Sequence, residues 1–167
     1  YMFGKLKEFH VDGNRVFLEY EKEKICPCVE AVADMIVNVF VDYTGQGHQT
    51  RAIEGKLGER LNAGMDASSG SELTSVTWEK SSVMIKTSKL TVIVGDDFAV
   101  DFYDCQGKPL SLAYKGGRKM GAQLSDAARE LLKMEGHEAK EGTADYPVQE
   151  LRMLEKEDCI YGLGDKT

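Results

Sequence analysis

The sequence predicts a mainly β protein: an antiparallel β-sandwich with one short helix near residues 124–135. Apolar residues recur with period two along several runs. β-branched and aromatic residues dominate those runs, as a half-buried pleated surface prefers. Short Gly, Asp and Asn signals punctuate the runs at regular spacing. The 167 residues favour a single domain, 1–167, and 42% hydrophobic content can fill a core without metal or disulfide.

The first alternating run is "RVFLEYE", with Val16, Leu18 and Tyr20 on one face and Phe17 and Glu19 on the other. "VDGNRV" ahead of it marks a tight turn at Gly13-Asn14. "DMIVNVFVDY" places Met35, Val37, Val39 and Val41 on one side. The stretch from Asn62 to Leu73 is small and polar, which predicts a loop. In "SVMIKTSKLTVIV", Val83, Ile85 and Thr87 alternate, then Leu90, Val92 and Val94; the change of parity predicts a turn or bulge at Ser88-Lys89. "FAVDFYD" turns Phe98, Val100 and Phe102 inward. In "YDCQGKPL", Asp104 heads a turn and Gly107 supplies the positive φ. The helix rests on Ser125 as N-cap, an apolar stripe through Leu124, Ala128, Leu131 and Leu132, and Gly136 as stop. A polar linker follows, then an extended "VQELRMLEKED" with Leu151 and Met153 expected inward.

Composition excludes several functions. Twenty-one Lys and Arg face 28 Asp and Glu, a formal net charge of -7, which suits neither nucleic acid nor an acidic membrane surface. "KGGRK" at Lys115 to Lys119 is the densest basic spot and reads as a solvated loop. No apolar run approaches the ~20 residues that cross a bilayer, and no secretory signal opens the chain, so a cytoplasmic location is expected. Cys26, Cys28, Cys105 and Cys159 read as reduced thiols, since Cys26-Pro27-Cys28 lacks zinc-ribbon spacing.

Candidate chemistry is sparse. His10, His48 and His137 read as surface or loop histidines without a carboxylate or thiol at ligand spacing. Asp96, Asp97, Asp101 and Asp104 cluster in sequence, but turn and outer-face positions predict solvated carboxylates, not the facing pair that glycoside hydrolysis needs. Trp78, with Tyr20 and Tyr103 taken as outer-face residues, offers the one sugar platform to consider. No catalytic, cofactor-binding or metal-ligating residue is assigned, and no cofactor is expected.

Two segments carry a resemblance. "VMIKTSKLTVIVGDDFAVDFYDCQGKPL", Val83 to Leu110, resembles a hairpin of the N-terminal domain in glycoside hydrolase family 31, with Ile85-Lys86-Thr87, Leu90 to Val94 and Phe98 to Asp104 in place. "IYGLGDKT", Ile160 to Thr167, resembles the run that closes that domain, with Asp165 where Glu is commoner. "ADMIVNVFVDY" is similar to a third family strand but carries Asn38 at its arginine position. The resemblance implies a galactose-mutarotase-like β-sandwich that packs on a (β/α)8 barrel absent from this chain. The parent would be a retaining α-glucosidase whose catalytic aspartates lie on that barrel, so this portion alone would be inactive. Its expected partners are the rest of its own polypeptide and, through the parent enzyme, an α-glucoside. An exposed barrel-facing patch around Ile160, Tyr161 and Leu163 would also permit self-association. The alternative is a free-standing carbohydrate-binding or interaction module; a mutarotase-like epimerase would need a histidine and carboxylate in a sheet groove.

Overall fold

The computed structural model describes residues 3–42, 72–122 and 146–159, together with Glu130 and Met134. Two antiparallel sheets face one another. The first holds β1 (Leu6–Asp12), β2 (Arg15–Tyr20), β3 (Cys28–Ala33) and β4 (Ile36–Phe40), in chain order. The second holds β5 (Ser75–Glu79), β6 (Ser82–Lys86), β7 (Leu90–Val94), β8 (Val100–Asp104) and β9 (Pro109–Ser111), also in chain order. A separate pair joins β10 (Lys119–Ala122) to β11 (Tyr146–Gln149).

Hairpin chemistry explains the meander. Asp12 and Arg15 pair across Gly13-Asn14, where Gly13 takes φ 58. Asp104 Oδ1 accepts from the N–H groups of Gln106 and Lys108, and Gly107 sits at φ 85, so the "DCQGK" turn forms as its residues dictate. The β6–β7 turn falls at Ser88-Lys89, where the apolar parity changes.

The period-two faces build the core. Val16 and Leu18 of β2 and Val29 of β3 meet Val83 and Ile85 of β6 and Val92 and Val94 of β7. Burying each such side chain stabilises the fold by about 1.5–3 kcal/mol. Phe3, Tyr20 and Phe98 fill one end of this core, with Phe3 5.3 Å from Tyr20 and 5.8 Å from Phe98 between ring centroids.

Several expectations change. Tyr20 is not on an outer face: it is 5% exposed, and its hydroxyl donates to the Gly95 carbonyl at 2.7 Å. Burial raises its phenol pKa above the ordinary value. β3 was not expected as a strand; its Ala-rich "CVEAVA" shows no alternation because both faces are covered. Met35 belongs to the β3–β4 turn, not to a strand face, and is exposed. The "ADYP" end of the expected linker contributes Tyr146 and Pro147 to β11. His10 lies within β1, with its ring stacked 4.9 Å from Phe17 on the paired strand. Of the expected helix, Glu130 and Met134 are helical, and the rest of 124–135 lies outside the described residues, as do 62–71, His48 and His137.

The parity of the C-terminal segment is reversed. Leu151 and Met153 are exposed, while Arg152 turns inward. Its guanidinium donates to the Val100 carbonyl at 2.6 Å and to the Ser111 carbonyl at 2.8 Å, and lies 5.5 Å from the Phe102 ring. A single-residue register moves every side chain to the opposite face, and an arginine that saturates two carbonyls and covers an aromatic ring outweighs two apolar side chains here.

Candidate functional site

One end of the sandwich carries a polar cluster built around a 3-10 turn, Asp96–Phe98. Asp97 and Phe98 both adopt left-handed backbone, at φ 55 and φ 52, which is strained for residues other than glycine. The N-terminal segment holds them there. Asp97 Oδ1 accepts from the N–H groups of Phe3 and Gly4 at 3.1 and 2.8 Å, and the Asp97 N–H donates to the Gly4 carbonyl at 2.8 Å. Asp96 Oδ1 accepts from the Leu6 N–H at 2.9 Å. Both residues sit in a turn as expected, Asp96 exposed and Asp97 half-buried, but their carboxylates also satisfy backbone donors at the chain's entry into the sheet. The aspartate run contained the signal, but its partner at Phe3–Leu6 lies some 90 residues away in sequence.

Arg118 closes the cluster from above. Its guanidinium lies 4.6 Å from the Phe98 ring, its Nε donates to the Phe98 carbonyl, and it pairs with Glu150 at 2.9 Å. Glu150 also pairs with Arg152 at 3.0 Å. Gly117 passes so close that an added Cβ would lie 2.8 Å from the Tyr114 carbonyl oxygen and 2.9 Å from the Leu151 Cβ. Together these groups wall a cavity of about 400 Å³. A second hollow of about 440 Å³ lies beyond Arg118 and Glu150, between Val37 and Val39 on β4 and Val100 and Phe102 on β8.

The ionic network thus borders the hollow between β4 and β8. Aromatic rings meet across the edges formed by β1 and β5. Trp78 on edge strand β5 packs 5.7 Å from Phe9 on edge strand β1. Trp78 pairs with core residue Val83, so it leans toward the inner face although it is 41% exposed. Tyr103 pairs with Thr91, one position out of phase with the core pair Val92 and Phe102, so it lies on the opposite face of the same sheet. With Tyr20 buried, the three aromatic residues do not form one sugar platform.

The remaining candidates are structural too. Asp101 Oδ1 accepts from the Ala113 N–H at 2.7 Å, and Asp104 organises its hairpin. Among the described residues no group of three His, Cys, Asp or Glu could hold a metal ion. All four cysteines are free thiols. Burial raises the Cys28 thiol to about 12, outweighing the lowering by Arg15. Burial, then the Glu19 charge, raises that of Cys26. Neither is an activated nucleophile.

Exposed apolar side chains lie beside the cavity. Ala113 and Arg152 bridge antiparallel, which puts Leu110 and Tyr114 on the same face as Leu151 and Met153. All four are exposed. The patch expected at Ile160, Tyr161 and Leu163 lies outside the described residues. Among the described residues no helix is long and apolar enough to cross a membrane.

No protein-family model matches the sequence, and no curated protein matches it. Solved structures do. A Flavobacterium johnsoniae GH31 dextranase complexed with glucose matches with TM-score 0.50 and 18% identity over 71% of this chain. A mutant of that dextranase complexed with isomaltotriose matches with TM-score 0.53, again at 18% identity over 71% of this chain. The chain spans 14% of the length of either matched chain. What this chain shares with the GH31 dextranase is therefore a fold, an antiparallel β-sandwich related to one portion of that enzyme.

Proposed function

We propose that this chain acts as the non-catalytic N-terminal β-sandwich domain of a retaining α-glucosidase related to glycoside hydrolase family 31. In this reading it packs on a catalytic (β/α)8 barrel of the same polypeptide and supports its substrate pocket. The observation that carries it is the sandwich shared with the dextranase over 71% of the chain. Two features support it. Asp96, Asp97, Asp101 and Asp104 each bind backbone N–H groups, which leaves no facing acid and nucleophile pair among them. The edge formed by Leu110, Tyr114, Leu151 and Met153 exposes apolar surface of the kind a neighbouring domain covers. The ligands of the matched dextranase make an α-glucan the substrate class to try first.

The reading is tested in two steps. The 167-residue chain is assayed on an aryl α-glucoside and on dextran, with no turnover expected. The parent reading frame is then sequenced beyond Thr167 for a barrel of ~250 residues. Turnover by the isolated chain, or a parent gene without a barrel, sinks the proposal.

A further inference from the structure

We infer that the cavity beside the 3-10 turn binds a compact organic anion: an apolar ring or short chain bearing one carboxylate or phosphate. This does not depend on a catalytic barrel elsewhere. The lining is balanced in formal charge. Lys5, Lys22, Lys115 and Arg118 face Glu21, Asp96, Asp97 and Glu150. It is unbalanced in hydrogen-bonding capacity. Asp96 and Asp97 accept from the N–H groups of Leu6, Phe3 and Gly4, and Glu150 is engaged by Arg118 and Arg152. Among the described residues no carboxylate lies within ion-pair distance of Lys5, Lys22 or Lys115. An entering anion therefore meets three ammonium groups, whereas an entering cation meets one carboxylate without a described partner, Glu21, and three that already hold partners.

The body of the ligand follows from the walls. Phe98, Ala99, Ala113, Tyr114 and Leu151 contribute apolar surface, and Tyr114 stands 56% exposed. About 400 Å³ accommodates a small ring with its head group. The walls are also pre-formed. The left-handed Asp97 and Phe98 cost on the order of 1–3 kcal/mol each and persist only because Phe3, Gly4 and Arg118 hold them. A rigid pocket of this kind loses little conformational freedom when it binds. The "KGGRK" loop thus has a place beyond a solvated surface: Lys115 and Arg118 meet lysines that are distant in sequence at one mouth.

The test is an amide chemical-shift titration of the 167-residue chain with benzoate, with phenyl phosphate and with cyclohexylmethanol as the uncharged analogue. Saturable shifts are expected at Gly116, Gly117 and Lys22 with at least one anion, and the effective anion assigns the head group. Raising the salt to about 1 M, where the screening length is ~3 Å, should weaken them. The exposed pair Lys22→Ala and Lys115→Ala should weaken binding about tenfold, the loss expected for two exposed charge contacts, while the spectrum remains that of a folded chain. Absence of saturable shifts with both anions, equal binding of the uncharged analogue, or indifference to the lysine substitutions overturns the inference.

Discussion

The Thr87 hydroxyl donates to the Asp34 carbonyl at 2.6 Å, which ties the β6–β7 turn to the β3–β4 turn of the opposite sheet. The same Oγ1 accepts from the Leu90 N–H at 2.9 Å, so one 6% exposed side chain both closes its own turn and joins the sheets. Thr87→Val keeps the shape and removes both bonds, leaving buried partners unsatisfied. A loss of about 1–3 kcal/mol in denaturant unfolding is expected. The nearby Lys89–Asp34 ion pair is 3.2 Å long but half-exposed, so Lys89→Ala should change stability by under about 1 kcal/mol. Equal effects of the two changes would contradict this division of roles.

Asp97 combines left-handed backbone with a carboxylate that holds the N-terminal segment. Asp97→Asn retains an acceptor and a residue type that tolerates this backbone, so its effect should be small. Asp97→Ala loses both and should cost about 2–3 kcal/mol. Hydrogen exchange at Phe3 and Gly4 reads the local consequence: their amides should lose protection in the alanine variant and keep it in the asparagine variant.

Arg15 and Glu30 face each other across β2 and β3, with Nε to Oε2 at 2.5 Å and side chains 18% and 10% exposed. Glu30→Ala leaves a largely buried guanidinium without its partner and should cost about 3 kcal/mol. Replacing both residues by leucine should recover most of that loss, because the desolvation penalty leaves with the charges. A double-mutant cycle by urea unfolding supplies the coupling; additive single effects would show that the pair is not a unit.

Cysteine reactivity should divide by burial. Cys105 and Cys159 are exposed and should alkylate rapidly at pH 8, while buried Cys28 should resist until the protein unfolds. The Cys28 thiol also links stability to pH. Its pKa rises from 9.0 to about 12 on folding, so the unfolded chain ionises first. Its contribution is complete below pH 9 and is lost progressively as pH rises toward 12. Cys28→Ala should flatten that part of an alkaline stability curve; an unchanged slope would exclude Cys28 as its source.

The sandwich was legible because period-two alternation is a local property. Val83, Ile85, Val92 and Val94 must share a face whatever else the chain does, and the Asp104 to Lys108 turn closes within five residues. β3 was hidden because "CVEAVA", covered on both faces, has no alternation to read. The candidate site was hidden for a different reason. Asp97 meets Phe3, Arg152 meets Val100, and Lys115 shares a cavity with Lys22 only after both sheets close. Local pattern therefore determined β2, β4, β6, β7 and β8 and most of their inward faces, but not β1, β3 or β10. Alternation already placed Tyr20 with Val16 and Leu18; tertiary structure alone decided that Arg152 displaces Leu151 and Met153 from the interior and that the aspartates hold backbone. Hydrogen bonds and ion pairs between distant segments leave no periodic trace along the chain, whereas burial of a sheet face does.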